Sequence, residues 1–167
     1  MITALMGDMI RYFQGDVKRI NHALKVYCFA SLISKESNSE ERKHQIICIT
    51  ALLHDIGIKE AERKYQSSSG KLQEREGPPI AKEILTSYDL DEEIIDRVCF
   101  IIGNHHSYSK IDGADFQILV EADFLVNIFE DSVSQESVQN VREKIFRTES
   151  GTRLLDGMYL GYTSECL

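Results

Sequence analysis

The chain has 167 residues, 43% of them hydrophobic and 28% charged, with a formal net charge of −8. That length and balance suit one globular domain, read as residues 1–167. The acidic balance argues against a non-specific nucleic-acid surface, which needs clustered Lys and Arg. No run of about 18 apolar residues is present, so no membrane span is expected. The N-terminal stretch MITALMGDMIRYF lacks a basic region and carries Asp8, so it does not read as a signal peptide. The four cysteines, Cys28, Cys48, Cys99 and Cys166, form no C-x-x-C pair. They read as small buried hydrophobes in a reducing cytoplasm rather than as a zinc site.

Taken in chain order, Asp16 can cap a helix that carries Ile20, Ala23, Leu24, Tyr27 and Ala30 on one face. Ser37-Asn38-Ser39-Glu40 fits a capping box for a second helix running to His54-Asp55, where Gly57 stops it. Ser67-Ser68-Ser69-Gly70 is the clearest loop. Glu76-Gly77-Pro78-Pro79 then opens another helix with Pro in its first turn. Asp91 caps a helix through Ile94, Ile95, Val98 and Ile101 that ends at Gly103. Phe116 to Phe129 form a strongly apolar helix around Asp123, and Ser134 and Thr148 start two more, in a C-terminal part spanning 134–167. No stretch alternates with period two, and only two prolines occur. The expected fold is therefore an all-α, single-domain bundle of about six to eight helices.

Three of these helical stretches carry metal-ligating side chains. His54-Asp55 closes the apolar run ITALLHDIGIK, His22 lies within RINHALKV and Asp123 within LVEADFLVNIFE. Adjacent helical residues point about 100° apart, but at a helix end both can converge on one ion. Asp55 falls where the helix dipole disfavours a carboxylate by roughly 0.3–1 kcal/mol, a penalty that a neighbouring cation reverses. A plainer reading makes His54 a cap on the last carbonyls and Asp55 a solvated acid. His22 in its apolar surround is a ligand or a core histidine bonded to backbone. Asp123 among Ala122, Phe124, Leu125 and Val126 must be ion-paired or bind a cation. His105-His106 follow Gly103-Asn104 at a helix end that faces a cleft, whereas His44, in EERKHQ, reads as a solvated face residue.

The order His22, His54-Asp55, Asp123 resembles the HD-domain superfamily of metal-dependent phosphohydrolases, named for its His-Asp doublet. The resemblance covers about residues 17–130 and is closest to the small bacterial HD hydrolases. It implies an all-α fold, a divalent metal and hydrolysis of a phosphate ester or anhydride. Metal ligands would be His22, His54, Asp55 and Asp123. Two-metal members bind a second ion through histidines in the region of His105 and His106, and carry a histidine where this chain has Glu76. Glu76 could replace it as an oxygen ligand, or merely suit the helix dipole. The family often places a lysine directly after HDIG; here Ile58 intervenes before Lys59, which could contact a phosphate.

Lys71 and Arg75 are further candidates for a substrate phosphate, each with an ordinary surface cation as its alternative. Nitrogen and oxygen ligands together suit iron, manganese, nickel, cobalt or zinc better than calcium, with one ion or two. The expected reaction is attack on a nucleotide or other small phosphate by a metal-activated water, with Asp55 or Glu76 orienting it and Lys59 assisting. A di-iron oxygenase and a non-catalytic nucleotide-binding regulatory module are the alternatives. The cyclic-dinucleotide branch fits less well, because Gly161-Tyr162 is followed by Thr163 rather than Pro. The expected partner is a small phosphorylated substrate, with neither a nucleic-acid polymer nor a membrane. Apolar stretches near both ends could serve an interface between copies of the chain.

Overall fold

The computed structural model describes residues 1–161. Nine α-helices are present among them: α1 (Ile2–Phe13), α2 (Val17–Glu36), α3 (Glu41–Leu53), α4 (Ile58–Tyr65), α5 (Gly70–Leu85), α6 (Glu92–Ile102), α7 (Ala114–Glu130), α8 (Gln135–Lys144) and α9 (Glu149–Leu155). A 3-10 turn (Tyr108–Lys110) and a π turn (Asp156–Leu160) complete the order, and no strand occurs among the described residues. The all-α class is as expected. Cys166, Tyr162 and Thr163 lie outside the described residues, as does the end of the expected C-terminal part. No described helix is long and apolar enough to cross a membrane.

Helices α2, α3 and α7 form the centre. Every residue from Ile46 to Leu53 is buried, so α3 runs through the core with apolar side chains all round. Helix α7 packs on it with Phe116, Leu119, Val120, Leu125 and Ile128 buried. The end of α3 therefore meets the middle of α7 inside the protein. Helix α1 and helix α4 are additional to the elements legible in the sequence. Helix α1 buries Leu5, Met9 and Phe13 at four-residue intervals, one helix face.

Two expected helix starts lie elsewhere. Asp16 does cap α2, its side chain accepting from Arg19 N at 3.1 Å. The capping box at Ser37–Glu40 does not form, and α3 starts after Glu40 without a side-chain cap. Those residues instead close α2: Ser37, Asn38 and Ser39 donate their backbone N–H groups to Ile33, Lys35 and Ser34, with Asn38 left-handed at φ 50°. Helix α5 begins at Gly70 rather than near Glu76, which places Pro78 and Pro79 in its interior. Two interior prolines forfeit two helix hydrogen bonds, at about 3 kcal/mol or more each. Burial of Ala81 and Leu85 beyond them, and packing of Gly77 against Ile102, offset that cost.

Gly57 has an ordinary helical backbone, φ −75° and ψ −16°. Its role is not to stop a helix but to allow contact: a Cβ there would lie 2.5 Å from both Gln73 O and Gly77 N. The turn 54–57 thus presses directly on the α5 backbone. Gly57→Ala should destabilise the protein by about 1–3 kcal/mol, the usual cost of overpacking, measured as a lower urea midpoint. An unchanged midpoint would show that α5 can move aside freely.

Arg97 on α6 clamps the far end of the segment that carries His105 and His106. Its guanidinium donates to both oxygens of Asp112 (2.7 and 2.9 Å) and of Asp115 (2.7 and 2.8 Å). Burial pushes the Asp115 carboxyl up, but Arg97 outweighs it and holds the group below its usual range. A depressed carboxyl contributes stability that is complete above its unfolded value of about 4 and lost as pH falls through the folded value. Asp115→Asn should cost about 1–3 kcal/mol at pH 7, less than a fully buried pair because Arg97 keeps Asp112. The gap between the two proteins in urea unfolding should narrow as pH drops below about 4.

The other histidine and the cysteines depart from expectation. His44 is half-buried rather than solvated, with Nδ1 3.0 Å from Ser34 Oγ and Nε2 3.5 Å from Cys48 Sγ. Cys48 is buried and Cys99 half-buried, but Cys28 is exposed, on the solvent side of α2.

Candidate metal centre

His22, His54 and Asp123 come together from the second turn of α2, the end of α3 and the middle of α7. One ligand atom from each lies within 4.8 Å of the other two. His22 Nε2 is 3.2 Å from His54 Nε2 and 3.2 Å from Asp123 Oδ1, and His54 Nε2 is 3.6 Å from the same oxygen. Ligand atoms about 2.1 Å from one ion lie about 3.0–3.4 Å apart at octahedral or tetrahedral angles, so the spacing suits a shared cation. Asp55, in the turn after α3, sits beside them with Oδ2 3.7 Å from His22 Nε2 and 3.6 Å from His54 Nε2.

Asp55 also faces a second group. Its Oδ1 is 3.4 Å from His105 Nε2, and Asp55, His105 and His106 offer ligand atoms that again all lie within 4.8 Å of one another. One carboxylate therefore turns an oxygen toward each of two histidine pairs. His105 Nε2 and Asp123 Oδ1 are buried without a hydrogen-bond partner among the described residues. A buried lone pair left unpaired costs about 1–3 kcal/mol, and a cation on each side of Asp55 would satisfy both.

The remaining ring nitrogens are occupied. His54 Nδ1 donates to Ala51 O at 2.9 Å and His105 Nδ1 to Ile102 O at 2.7 Å. His22 Nδ1 meets Glu130 Oε2 at 3.1 Å. Each bond places a proton on Nδ1 and turns Nε2 inward, the usual outer-shell arrangement of metal-binding histidines.

The electrostatics carry the same sense. Burial pulls the His22 imidazole down, but Asp123, Asp55 and Glu130 outweigh it and raise the group to about 9. His54 is likewise raised, burial being overcome by Asp55 and Asp123. Both aspartates are held below the usual carboxylate range: burial opposes ionisation, and the neighbouring histidines overcome it. His106 is pushed down to about 4, by burial first and then by His105. A cluster that retains protons only to satisfy its carboxylates exchanges them for a cation.

The other candidates lie elsewhere. Glu76 joins neither group. It accepts from Lys64 Nζ at 2.6 Å and Tyr65 OH at 2.9 Å, an α4–α5 tie. Because α5 starts at Gly70, Gln73 and Glu74 reach the second histidine pair in its place. Lys59 donates to Tyr12 O at 2.8 Å and caps the Tyr12 ring, so it fastens α4 to α1. Arg75 stacks on Tyr65 and pairs with Glu76, and Lys71 is exposed. Among the described residues, no hydrogen bond or ion pair joins either of them to a metal-ligating group.

Three residues with no signal in the sequence take part instead. Glu130 orients His22 and pairs with Lys25. Gln73 meets His106, and Glu74 accepts from the His106 backbone N–H and Ser107 Oγ. A cleft of about 290 Å³ opens beside the cluster, lined by His22, Asp55, Lys18, Arg19, Ser68 and Asn127 among others.

The HD domain family model matches residues 19–147, most of the chain. No curated protein matches it. A crystal structure of a predicted HD superfamily hydrolase from an uncultured Thermotogales bacterium has the same fold, with a TM-score of 0.69. That match covers 95% of this chain and 84% of the other, at 22% identity. HD domains bind divalent metals, and the His/Asp groups described above are the ones that could hold them here. The doublet at the end of α3, the two histidine pairs around it and the match across most of the chain place this protein in the HD domain family.

Proposed function

We propose that the protein is a metal-dependent phosphohydrolase acting on a nucleotide or another small phosphate ester or anhydride. The observation that carries this reading is Asp55, with one oxygen toward His22 and His54 and the other toward His105, at the wall of an open cleft. His22, His54 and Asp123 would hold one divalent transition metal, with Asp55 as a fourth ligand; His105, His106 and the second oxygen of Asp55 would hold another. Bound there, iron, manganese, nickel, cobalt or zinc supplies Lewis-acid charge to a phosphoryl oxygen and makes hydroxide available near neutral pH. Lys18 and Arg19 are the cleft's two cations, but Arg19 pairs with Asp16 and Glu62 and four carboxylates share the lining, so most of the positive charge for a substrate phosphate would come from the metals. Ser68 and Asn127 offer polar groups to the rest of the substrate.

The test is phosphate release from a panel of nucleotides and a generic phosphate ester, with and without added manganese, iron or cobalt. Release that requires metal and stops with chelator is the expected result. One observation favours a second reading. Each group is two histidines and one carboxylate, a set that also suits non-haem iron chemistry with dioxygen. Oxygen uptake by the iron-loaded protein, with no phosphate release across the panel, would favour an oxygenase. Neither activity would favour a nucleotide-binding regulatory module.

A further inference from the structure

We propose that Gln73 is a positioning residue that selects Nδ1 of His106 as its metal-ligand atom, the reverse of the other three histidines. The proposal rests on the two-group reading above.

Gln73 lies on the first turns of α5 and is buried. Its Nε2 donates to Ser68 O at 2.7 Å. A backbone carbonyl only accepts, so this bond fixes which end of the amide is NH2. The Oε1 end then faces His106 Nε2 at 3.4 Å. An amide oxygen also only accepts, so His106 must carry its proton on Nε2, and its lone pair is left at Nδ1. His54 and His105 receive the opposite instruction from the backbone carbonyls of Ala51 and Ile102, and His22 from Glu130.

Two further features hold the ring in that pose. A Cβ at Gly70 would meet His106 Cδ2 at 2.6 Å and Cγ at 2.8 Å, so only glycine leaves room for the ring against α5. Glu74 accepts from the His106 backbone N–H at 3.0 Å and from Ser107 Oγ at 3.2 Å, which anchors the backbone beneath it. Gln73 thereby ties the second metal group to Ser68 on the cleft wall.

The test uses the full chain in two states. In metal-free protein, nitrogen-15 spectra of the His106 ring at pH 7.5 should show the proton on Nε2 and a bare Nδ1. In titrations with manganese, Gln73→Met should weaken the second ion by about 10–100-fold, the usual effect of losing an outer-shell partner. The first ion, followed in the same titration, reports that the fold is intact and should be unaffected. Gln73→Glu keeps an acceptor for the Nε2 proton and should bind the second ion better than Gln73→Met. A proton on Nδ1 in the metal-free protein overturns the proposal. So does wild-type affinity in Gln73→Met, or a Gln73→Glu variant as weak as Gln73→Met. A wild-type protein that takes up one ion only refutes the two-group reading, and the metal-free tautomer still decides whether Gln73 sets the proton.

Discussion

Asp55→Ala should lose turnover by at least roughly 10³-fold, the upper end of the loss from removing one preorganised group in an active site. The reason is its position: one oxygen is 3.6–3.7 Å from the first histidine pair and the other 3.4 Å from His105 Nε2. Removing the carboxylate takes a ligand from both groups at once, so metal content should fall at both. Asp55 lies in the turn after α3, with its side chain partly exposed and outside the apolar core. Far-UV helicity should therefore stay near that of the wild type. Retained turnover in a well-folded variant would remove Asp55 from the reaction.

His54→Ala should have the other large effect, on metal content and on stability together. The ring is almost fully buried, with its centroid 5.2 Å from that of His22 and 5.5 Å from that of His105. It also caps Ala51 O through Nδ1. Truncation removes a ligand from the first group and leaves a cavity in the core, at about 2–4 kcal/mol by analogy with other large-to-small changes. Elemental analysis of protein purified without chelators should find the first ion missing. Equal metal content in the two proteins would contradict the assignment. The two variants separate the roles: Asp55→Ala is expected to lose function with little loss of stability, His54→Ala to lose both.

The contrast between these residues and Glu76 shows how far the chain could be read without its fold. His22 lies on the buried face of α2, His54 closes the apolar half of α3 and Asp123 lies in apolar α7, and a polar group in such a buried face stands out. Glu76 stands where the resemblance implies a second-metal histidine, and proline's preference for the first turn of a helix puts it at a helix start before Pro78-Pro79. Helix α5 runs through both prolines, which turns Glu76 toward Lys64 and Tyr65 and brings Gln73 to His106. Lys59 is similar. The resemblance implies a phosphate contact for it, but α4 carries it to Tyr12 on α1, a helix additional to those legible in the sequence.

The sequence by itself determined the all-α class and most helix positions, through local periodicity and capping side chains such as Asp16, Ser134 and Thr148. The residues that meet in the first group were pointed to by the resemblance of His22, His54-Asp55 and Asp123 to the HD pattern, their own surroundings leaving plainer readings open. Tertiary structure alone decided that Glu130 and Gln73 orient the histidines and that Gly57 is required by contact. Each of these depends on where one backbone passes another. The turn 54–57 reaches Gln73 and Gly77 across α5, and the α7 terminus brings Glu130 to His22 from 108 positions away. Such approaches are set by how whole helices pack, and no spacing along the chain encodes them.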